Sequence, residues 1–589
     1  MSLPLLPARI AHAAFLEQRR IIFISAALAL LLSLPMMSSG LFLDDFEQRI
    51  KLLSGDTSNI FQTFRYGDPF TDQLIQSGVL PWWTHEATKT NFFRPLAEVF
   101  LHLDYALWPD NFALMHLHSA LWYAVLALIA GLAYRAVLPV AWAAGLATLF
   151  FAIDGYHAGA VVWLCNRNVL ISMSAALLCL LCHRQGAADN SGAWRILAAA
   201  LFALGLSSGE SALAISGYLL AHEVFLTRDT WFKRLLRLLP YGLIGLGYLT
   251  WWHHAGYGTD GPGFYTDPGR DPLFFLQEVA FRAPAYLVSQ FTLLPAEVFS
   301  ALESPTLRAH ALLPGLLYAL SLLALLAWFF WPLLRRSAEA RFFTLGMLIA
   351  VLPICGVSMV SRVLWYVGFG ASGLLALFIQ HYRDHPDNST MRRGSRFFVG
   401  LMLLLHLWLS PLFYLVSIAG FNFMNQQWDT QTVQLPNAGP SERRLLILAT
   451  KNHWIDITFP ILKDRALSLG QQPSRPPPAI TRILALTEGE GRYRLERPAE
   501  NVLHLKTQDD HPFITLRPVP WRFAVGEPVH RPDVDIEVLA VSPQGAPTRI
   551  EYRFAPGALS RLDVMTWQKT HFTASTLPAI GQHQELLVE

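Results

Sequence analysis

Eleven predominantly apolar runs follow one another along the first part of the chain, at 21–42, 112–134, 139–154, 159–182, 195–208, 211–226, 238–253, 311–333, 342–360, 363–380 and 397–421. A bilayer core takes about 20 apolar residues per helix. Backbone polar groups inside lipid must be satisfied within their own segment, so a chain patterned in this way folds as a bundle of membrane helices. The runs 139–154 and 195–208 are short. Charged residues make up only 15% of the 589, against about a quarter in soluble domains. The same composition excludes disorder, which needs low hydrophobicity and high net charge. The formal net charge of +2 lacks the strong basic bias of a nucleic-acid binder. Cys165, Cys179, Cys182 and Cys355 all lie in apolar runs, so no disulfide framework is expected outside the membrane.

Lysine and arginine in short loops set orientation. Arg9, Arg19 and Arg20 precede the first run. Alternate loops then carry Arg135; Arg184 and Arg195; Arg228, Lys233, Arg234 and Arg237; Arg335, Arg336 and Arg341; and Arg383, Arg392, Arg393 and Arg396. The turns near 155–158 and 209–210 carry neither residue type. The alternation places the N-terminus in the cytoplasm and everything after 421 outside. Ser38, Ser39 and Gly40 would suit a signal cleavage site, but the first run is long for a signal core and an acidic pair follows it, so it is read as a span.

Two domains are expected: 1–425, a membrane domain with outer loops 43–111 and 254–310, and 426–589, an outer β-rich domain of α+β type. The first loop mixes Trp82, Trp83, Phe92 and Phe93 with charges, and Pro95 to Trp108 has a helical apolar pattern. It reads as interfacial helices with aromatic anchors. The second loop opens with a glycine-rich stretch, Gly256 to Gly269, before a helix-like segment, Leu273 to Leu294. That stretch lacks the Lys and Ser/Thr of a phosphate-binding loop. Beyond 426 charges return and prolines cluster at Pro476–Pro478. Short β-type runs appear at Leu445–Leu448, Ile483–Leu486, Val502–Leu505, Ile536–Leu539 and Arg549–Tyr552, with the turn residues of a small β-rich fold between them.

Ionisable residues within or at the edge of a membrane span mark function by default. Asp44 and Asp45 follow the first span; Asn91, Arg94 and Glu98 lie in the first outer loop; Asp154, His157, Glu210 and Arg362 sit at later outer-facing junctions. All fall on one side of the membrane, so they are able to converge. Arg167 lies about two turns into a span, flanked by Asn166 and Asn168, and a cation at that depth needs a partner or a phosphate. Plainer readings stand beside these. Two acids after a span are a common solvated flank, Glu210 in a Ser-Ser-Gly-Glu-Ser turn is suited to start a helix, and Arg362 is placed to meet a lipid headgroup. His102, His116 and His118 have the number but not the spacing of a zinc site. Soluble-enzyme signatures such as G-x-S-x-G or G-x-G-x-x-G after a strand do not occur.

Five segments carry a resemblance. They are Leu43-Asp44-Asp45; Phe93-Arg94-Pro95-Leu96 followed by Asp104-Tyr105-Ala106-Leu107; Phe151 to His157 with Val161-Val162-Trp163 and Asn166-Arg167-Asn168; Leu206-Ser207-Ser208-Gly209-Glu210; and Ser361-Arg362-Val363-Leu364-Trp365-Tyr366. In order and spacing over roughly 20–380, the chain resembles GT-C-fold glycosyltransferases, closest to the tetratricopeptide-containing protein O-mannosyltransferase type and its bacterial relatives. It departs from their pattern where Asp154 stands for a His, Gly159 for an acid, Gly209 for a Lys and Ser361 for a Glu. No acid stands near Asn168, and a β-rich domain replaces the tetratricopeptide array.

The resemblance implies an inverting transfer of a sugar from a polyprenyl-phosphate donor to an acceptor hydroxyl on a protein, glycan or lipid, at the outer face of a bacterial inner membrane. Asp44 or Asp45, with a preference for Asp44, would be the general base, since a neighbouring like charge raises one carboxyl pKa. Arg94, Arg167 and Arg362 would take the donor phosphate, and His157 and Glu210 would position a substrate. No cofactor is required; a divalent ion, Mg or Mn, on the acidic pair is an open possibility. Two other classes fit the layout: a glycan polymerase, ligase or other lipid-linked group transferase, and a non-enzymatic transporter or assembly scaffold. A transporter would show an internal repeat and midplane charges; only Arg167 lies at depth.

Overall fold

The computed structural model of the chain describes residues 14–55, 59–260, 265–303, 305–384, 392–434, 444–471, 482–508, 521–543, 545–568 and 571–588. Arg9, the proline cluster Pro476–Pro478 and part of the Gly256–Gly269 stretch lie outside these residues. The chain divides into two compact units. The first comprises Met1–Gly40, Phe93–Gly256 and Phe264–Asn422; the second comprises Leu41–Phe92, Tyr257–Gly263 and Phe423–Glu589.

The first unit is helical, and every one of the eleven apolar runs falls on helix. Among the described residues, six helical stretches are long and apolar enough to cross a membrane: Arg20–Ser38, Phe112–Val137, Ala141–Val162, Leu164–Ala188, His310–Arg336 and Gly394–Asp429. The runs at 195–208, 211–226 and 342–360 form the shorter helices Gly192–Leu206, Ile215–Phe225 and Ala338–Ile354. The run at 238–253 is the second half of Trp231–His254, whose first turns carry Lys233, Arg234 and Arg237. Small residues let these helices approach closely. A Cβ on Gly217 would lie 2.8 Å from the Gly346 carbonyl, and one on Gly346 would lie 2.3 Å from the Tyr218 ring. The helix His310–Arg336 turns Leu313, Leu317, Trp328 and Trp331 outward. An apolar face of that size is surface that lipid covers and water does not.

The second unit is built on two sheets and a small ribbon. One sheet has six antiparallel strands, in the order His583–Val588, Gly491–Ala499, Val502–Thr507, Pro547–Phe554, Val534–Val541 and Pro528–Arg531. The other has four strands, in the order His571–Ala574, Asp563–Gln568, Arg444–Ile447 and Arg482–Ala485. Its last three run parallel, with Leu445 opposite Ile483 and Leu446 opposite Val564. Parallel neighbours need a crossover, and the helix Phe459–Gln471 lies in the one between Ile447 and Arg482. All five expected β runs are strands. Alternation explains why: Leu503 and Leu505, Ile536 and Val538, and Ile550 and Tyr552 are buried on alternate positions of their strands.

The segment 43–111 corrects one expectation. Trp82 and Trp83 are not interfacial anchors: they are 3% and 2% exposed, inside the core of the second unit. Trp82 Nε1 donates to the Leu486 carbonyl at 3.3 Å, Thr458 Oγ1 to Val79 O at 2.7 Å, and Arg49 Nε to Ala466 O at 2.9 Å. Residues 41–92 therefore fold with the C-terminal sheets. Gly78 shows how closely. Its φ of +75° ends the helix Pro69–Ser77, and a Cβ there would sit 1.5 Å from the Ile483 carbonyl oxygen. No side chain fits that contact. The later part of the segment forms the helix Pro95–Leu107, as its apolar pattern requires.

A buried histidine makes this unit acid-sensitive. His453 is fully buried against Trp83 and Thr458, and burial drives its pKa down to about 3. The unfolded chain protonates it near 6.5, so its contribution is complete above pH 6.5 and is lost as pH falls from there toward 3, at about 1.4 kcal/mol per pH unit. Burial raises the carboxyl pKa values of Glu47 and Asp456, and these act in the opposite sense. Hydrogen-exchange protection across Val534–Val541 in the full chain, corrected for the intrinsic rate at each pH, is expected to fall between pH 6.5 and 4.5. His453→Phe is expected to reduce that dependence; an unchanged profile in the variant would exclude His453 as its source.

Candidate functional site

The polar residues of the first unit sort into two groups. The first is a run of contacts along helix ends. Arg362, in the short helix Ser361–Val363, lays its guanidinium 4.6 Å from the Trp163 ring centre and donates Nη1 to Asn166 Oδ1 at 3.2 Å. Asn166 ends one short helical turn, and Asn168 lies in the first turn of Arg167–Ala188. A Cβ on Gly209 would sit 2.8 Å from Asn168 Nδ2, so the turn that carries Glu210 rests against Asn168. The absence of a side chain at Gly209 is what allows this approach. Glu210 Oε2 accepts from Arg94 Nη2 at 3.2 Å and Nε at 3.3 Å. Arg362, Asn166, Asn168, Glu210 and Arg94 thus form one chain of neighbours. Three buried atoms on it, Asn166 Nδ2, Asn168 Oδ1 and Glu210 Oε1, have no hydrogen-bond partner among the described residues. Buried polar atoms are almost always satisfied, so this patch has unused capacity for water or a ligand.

The second group is held mainly by the protein, although His157 Nε2 also has no hydrogen-bond partner among the described residues. Arg167 is 2% exposed. It pairs with the fully buried Asp104, and it donates Nε to Ser119 Oγ at 2.9 Å and Nη2 to Met115 O at 2.8 Å. His118 Nδ1 meets the other Asp104 oxygen at 2.6 Å. His157 stacks on Trp365 with ring centres 3.8 Å apart and 3° between planes, and its Nδ1 meets the Tyr123 hydroxyl at 2.9 Å. It packs as an aromatic core residue. Asp154 holds the Tyr156 N–H at 3.0 Å and Gln290 Nε2 at 2.8 Å.

The acidic pair lies in the second unit. Asp44 and Asp45 open the helix Asp44–Ser54, and Asp45 Oδ2 accepts the Phe42 N–H at 3.0 Å. Leu43, just before them, has φ +47° and ψ −116°. A leucine in that region is strained by about 1–3 kcal/mol and persists only where its surroundings enforce it; such strain clusters at functional sites. Glu47, one turn on, is buried and paired with Lys51 at 3.4 Å.

His102, His116 and His118 do not converge: His116 Nε2 meets Gly40 O at 2.7 Å, His118 meets Asp104, and His102 lies 3.7 Å from Glu98. Among the described residues a different trio, His183, His222 and Glu223, brings its ligand atoms within 4.8 Å of one another. Both Glu223 oxygens, however, are held by the Arg237 fork, at 3.0 and 2.7 Å. A guanidinium in that place repels a divalent ion. The sequence reading assigns Arg237 to an inner loop and overlooks Glu223, whose burial between apolar neighbours is the signal that would have found it. Asp104, the buried one of the two acids in the helix Pro95–Leu107, is a second such residue, visible in the sequence only as part of a motif. No family model matches the chain, and no curated protein matches it.

Proposed function

We propose that the protein is an inverting membrane glycosyltransferase that moves a sugar from a polyprenyl-phosphate donor to an acceptor hydroxyl at the outer face. The observation that carries this reading is the chain Arg362–Asn166–Asn168–Glu210–Arg94, with its unsatisfied polar atoms, drawn from four of the segments that resemble GT-C enzymes. The guanidinium of Arg362 has the planar fork that suits a departing phosphate, and preorganised donors of this kind are what a displacement with an anionic leaving group needs. Asp44 or Asp45 is the general base, assigned from chain position after the first apolar helix and from the chemistry of a carboxylate pair. In this reading all eleven apolar runs cross or enter the membrane, with the N-terminus inside and residues after 421 outside. Val99, Leu103 and Leu107, exposed and four residues apart on Pro95–Leu107, give that helix an apolar stripe suited to the bilayer interface. Arg167 and His157 keep the helices in place and take no part in the chemistry.

The test is release of free polyprenyl phosphate by the purified full chain in native lipids, offered labelled polyprenyl-phosphate sugars and a membrane extract. Asp44→Asn or Asp45→Asn is expected to lower turnover by about 10²–10⁴-fold, as for loss of a general base. Arg362→Ala is expected to lower it comparably at unchanged expression. Intact donor with every sugar offered would overturn the reading.

A further inference from the structure

The six-stranded sheet buries one side of its strands and turns the other outward. Tyr493, Leu495, Leu503, Leu505, Ile550 and Tyr552 point into the core, so the alternation of a strand sends Arg492, Arg494, Lys506 and Arg549 to the outer face. The register lines three of them up: Arg494 lies opposite Lys506, and Lys506 lies opposite Arg549. Neighbouring strands stand about 4.8 Å apart, so these three cations form a row about 10 Å long. Like charges directly opposite each other are unfavourable, and here two such pairs follow one another. Charges also guard sheet edges against stray pairing, but these strands are the second, third and fourth of six. Neither sheet stability nor edge protection calls for the row.

The row keeps most of its charge. Glu585 lies opposite Arg494 and pairs with it at 2.9 Å. The side chains of Arg492, Lys506 and Arg549 are exposed and have no hydrogen-bond or ion-pair partner among the described residues. Leu587, outward and opposite Arg492, is 55% exposed and adds an apolar contact beside them. The next outward row is different: it runs Glu496, His504, Glu551 and Glu537, about 7 Å further along the strands.

We propose that this row binds a linear acidic polysaccharide, with its carboxylates along Arg494, Lys506 and Arg549. A strip of one sign concentrates polymers of the other. The neighbouring acids decide the shape of the partner. A charged bilayer pressed on this face would meet both rows within one screening length, about 8 Å, and the acids would oppose it. A single polymer strand lies along the cations alone. A peptide recognised by a sheet adds at an edge, where main-chain groups are free; these cations stand on interior strands and offer side chains only. A nucleic-acid strand stacks its bases on aromatic rings, and the residues in and beside the row, Glu585, Arg494, Lys506, Arg549, Arg492 and Leu587, supply none. The surface lies wholly in the second unit and does not depend on the transferase reading.

The test is binding of the full chain, held in nanodiscs of uncharged lipid, to immobilised alginate (a polymer of uronates), with neutral dextran as control. Saturable binding to alginate that weakens as salt is raised, and none to dextran, is expected. Lys506→Ser and Arg549→Ser should each weaken it about threefold and together about tenfold, as for exposed ion contacts. Arg561→Ser, which removes an exposed arginine outside the sheet, should leave it unchanged. Polyglutamate and phosphatidylglycerol vesicles are offered in competition. Absence of alginate binding, or equal loss in Arg561→Ser, would overturn the proposal. So would tighter binding of polyglutamate or of the vesicles with the same dependence on Lys506 and Arg549, which would assign the row to an acidic protein or to a membrane surface.

Discussion

Arg167→Met is expected to destabilise the membrane unit by about 3–5 kcal/mol, the cost of leaving one partner of a buried pair uncompensated. Asp104 is fully buried, and its two oxygens are divided between Arg167 and His118. Without the guanidinium, that carboxylate keeps a single partner among apolar helices, and the Met115 carbonyl and Ser119 hydroxyl lose their donor. The double variant Arg167→Met, Asp104→Leu removes both charges, and replacement of a whole buried pair by apolar residues is close to neutral. It is therefore expected to recover most of the loss. Thermal midpoints of the full chain in one detergent, read for both singles and the double, check this. If Arg167 instead served a donor phosphate, the single variant would keep the wild-type midpoint and lose turnover.

The reasons the partner of Arg167 is hidden in the sequence also define what sequence makes legible. Hydropathy reports the period and length of an apolar run, so all eleven runs are visible as helices, three strands show through their alternation, and the parallel pair at 445–448 and 483–486 shows as short continuous apolar runs. It does not report partners. Asp104 lies 63 positions before Arg167 in a segment that reads as an amphipathic outer helix. Only the packing of Pro95–Leu107 shows that its one buried acid faces a cation. The same blindness hides the fate of Trp82 and Trp83. Aromatic pairs flanked by charges look alike whether they sit at a bilayer interface or under the sheet edge at Leu486. Of the site itself, Arg94, Glu210 and Arg362 are legible because charge at a span end is costly. The roles of Asn166 and Asn168 are legible only as neighbours of Arg167, because an amide carries no such penalty signal and reveals its use through an unsatisfied atom.

Arg237→Met is expected to cost a similar 3–5 kcal/mol, and chelation is expected to cost nothing. Glu223 is fully buried. Its Oε1 meets His183 Nε2 at 2.9 Å and Arg237 Nε at 3.0 Å; its Oε2 meets Arg237 Nη2 at 2.7 Å. His222 Nδ1 lies 3.6 Å from Oε1. Two histidines and a glutamate are a common zinc donor set, but a metal on Oε1 would stand beside a permanent cation that already satisfies the carboxylate. Arg237 also reaches Asp229 through Nη1 at 2.7 Å, and His183 Nδ1 meets the Tyr241 hydroxyl at 3.1 Å. The network thus ties three helices together without an ion: Arg167–Ala188 by His183, Ile215–Phe225 by Glu223, and Trp231–His254 by Arg237 and Tyr241. Thermal midpoints measured with and without EDTA should coincide for the native chain, while Arg237→Met should fall and Arg237→Met, Glu223→Gln should regain most of the difference, since the amide carries no charge to strand. A midpoint that drops with EDTA and returns only with added zinc would show instead that the trio holds a metal and that the arginine fork yields to it.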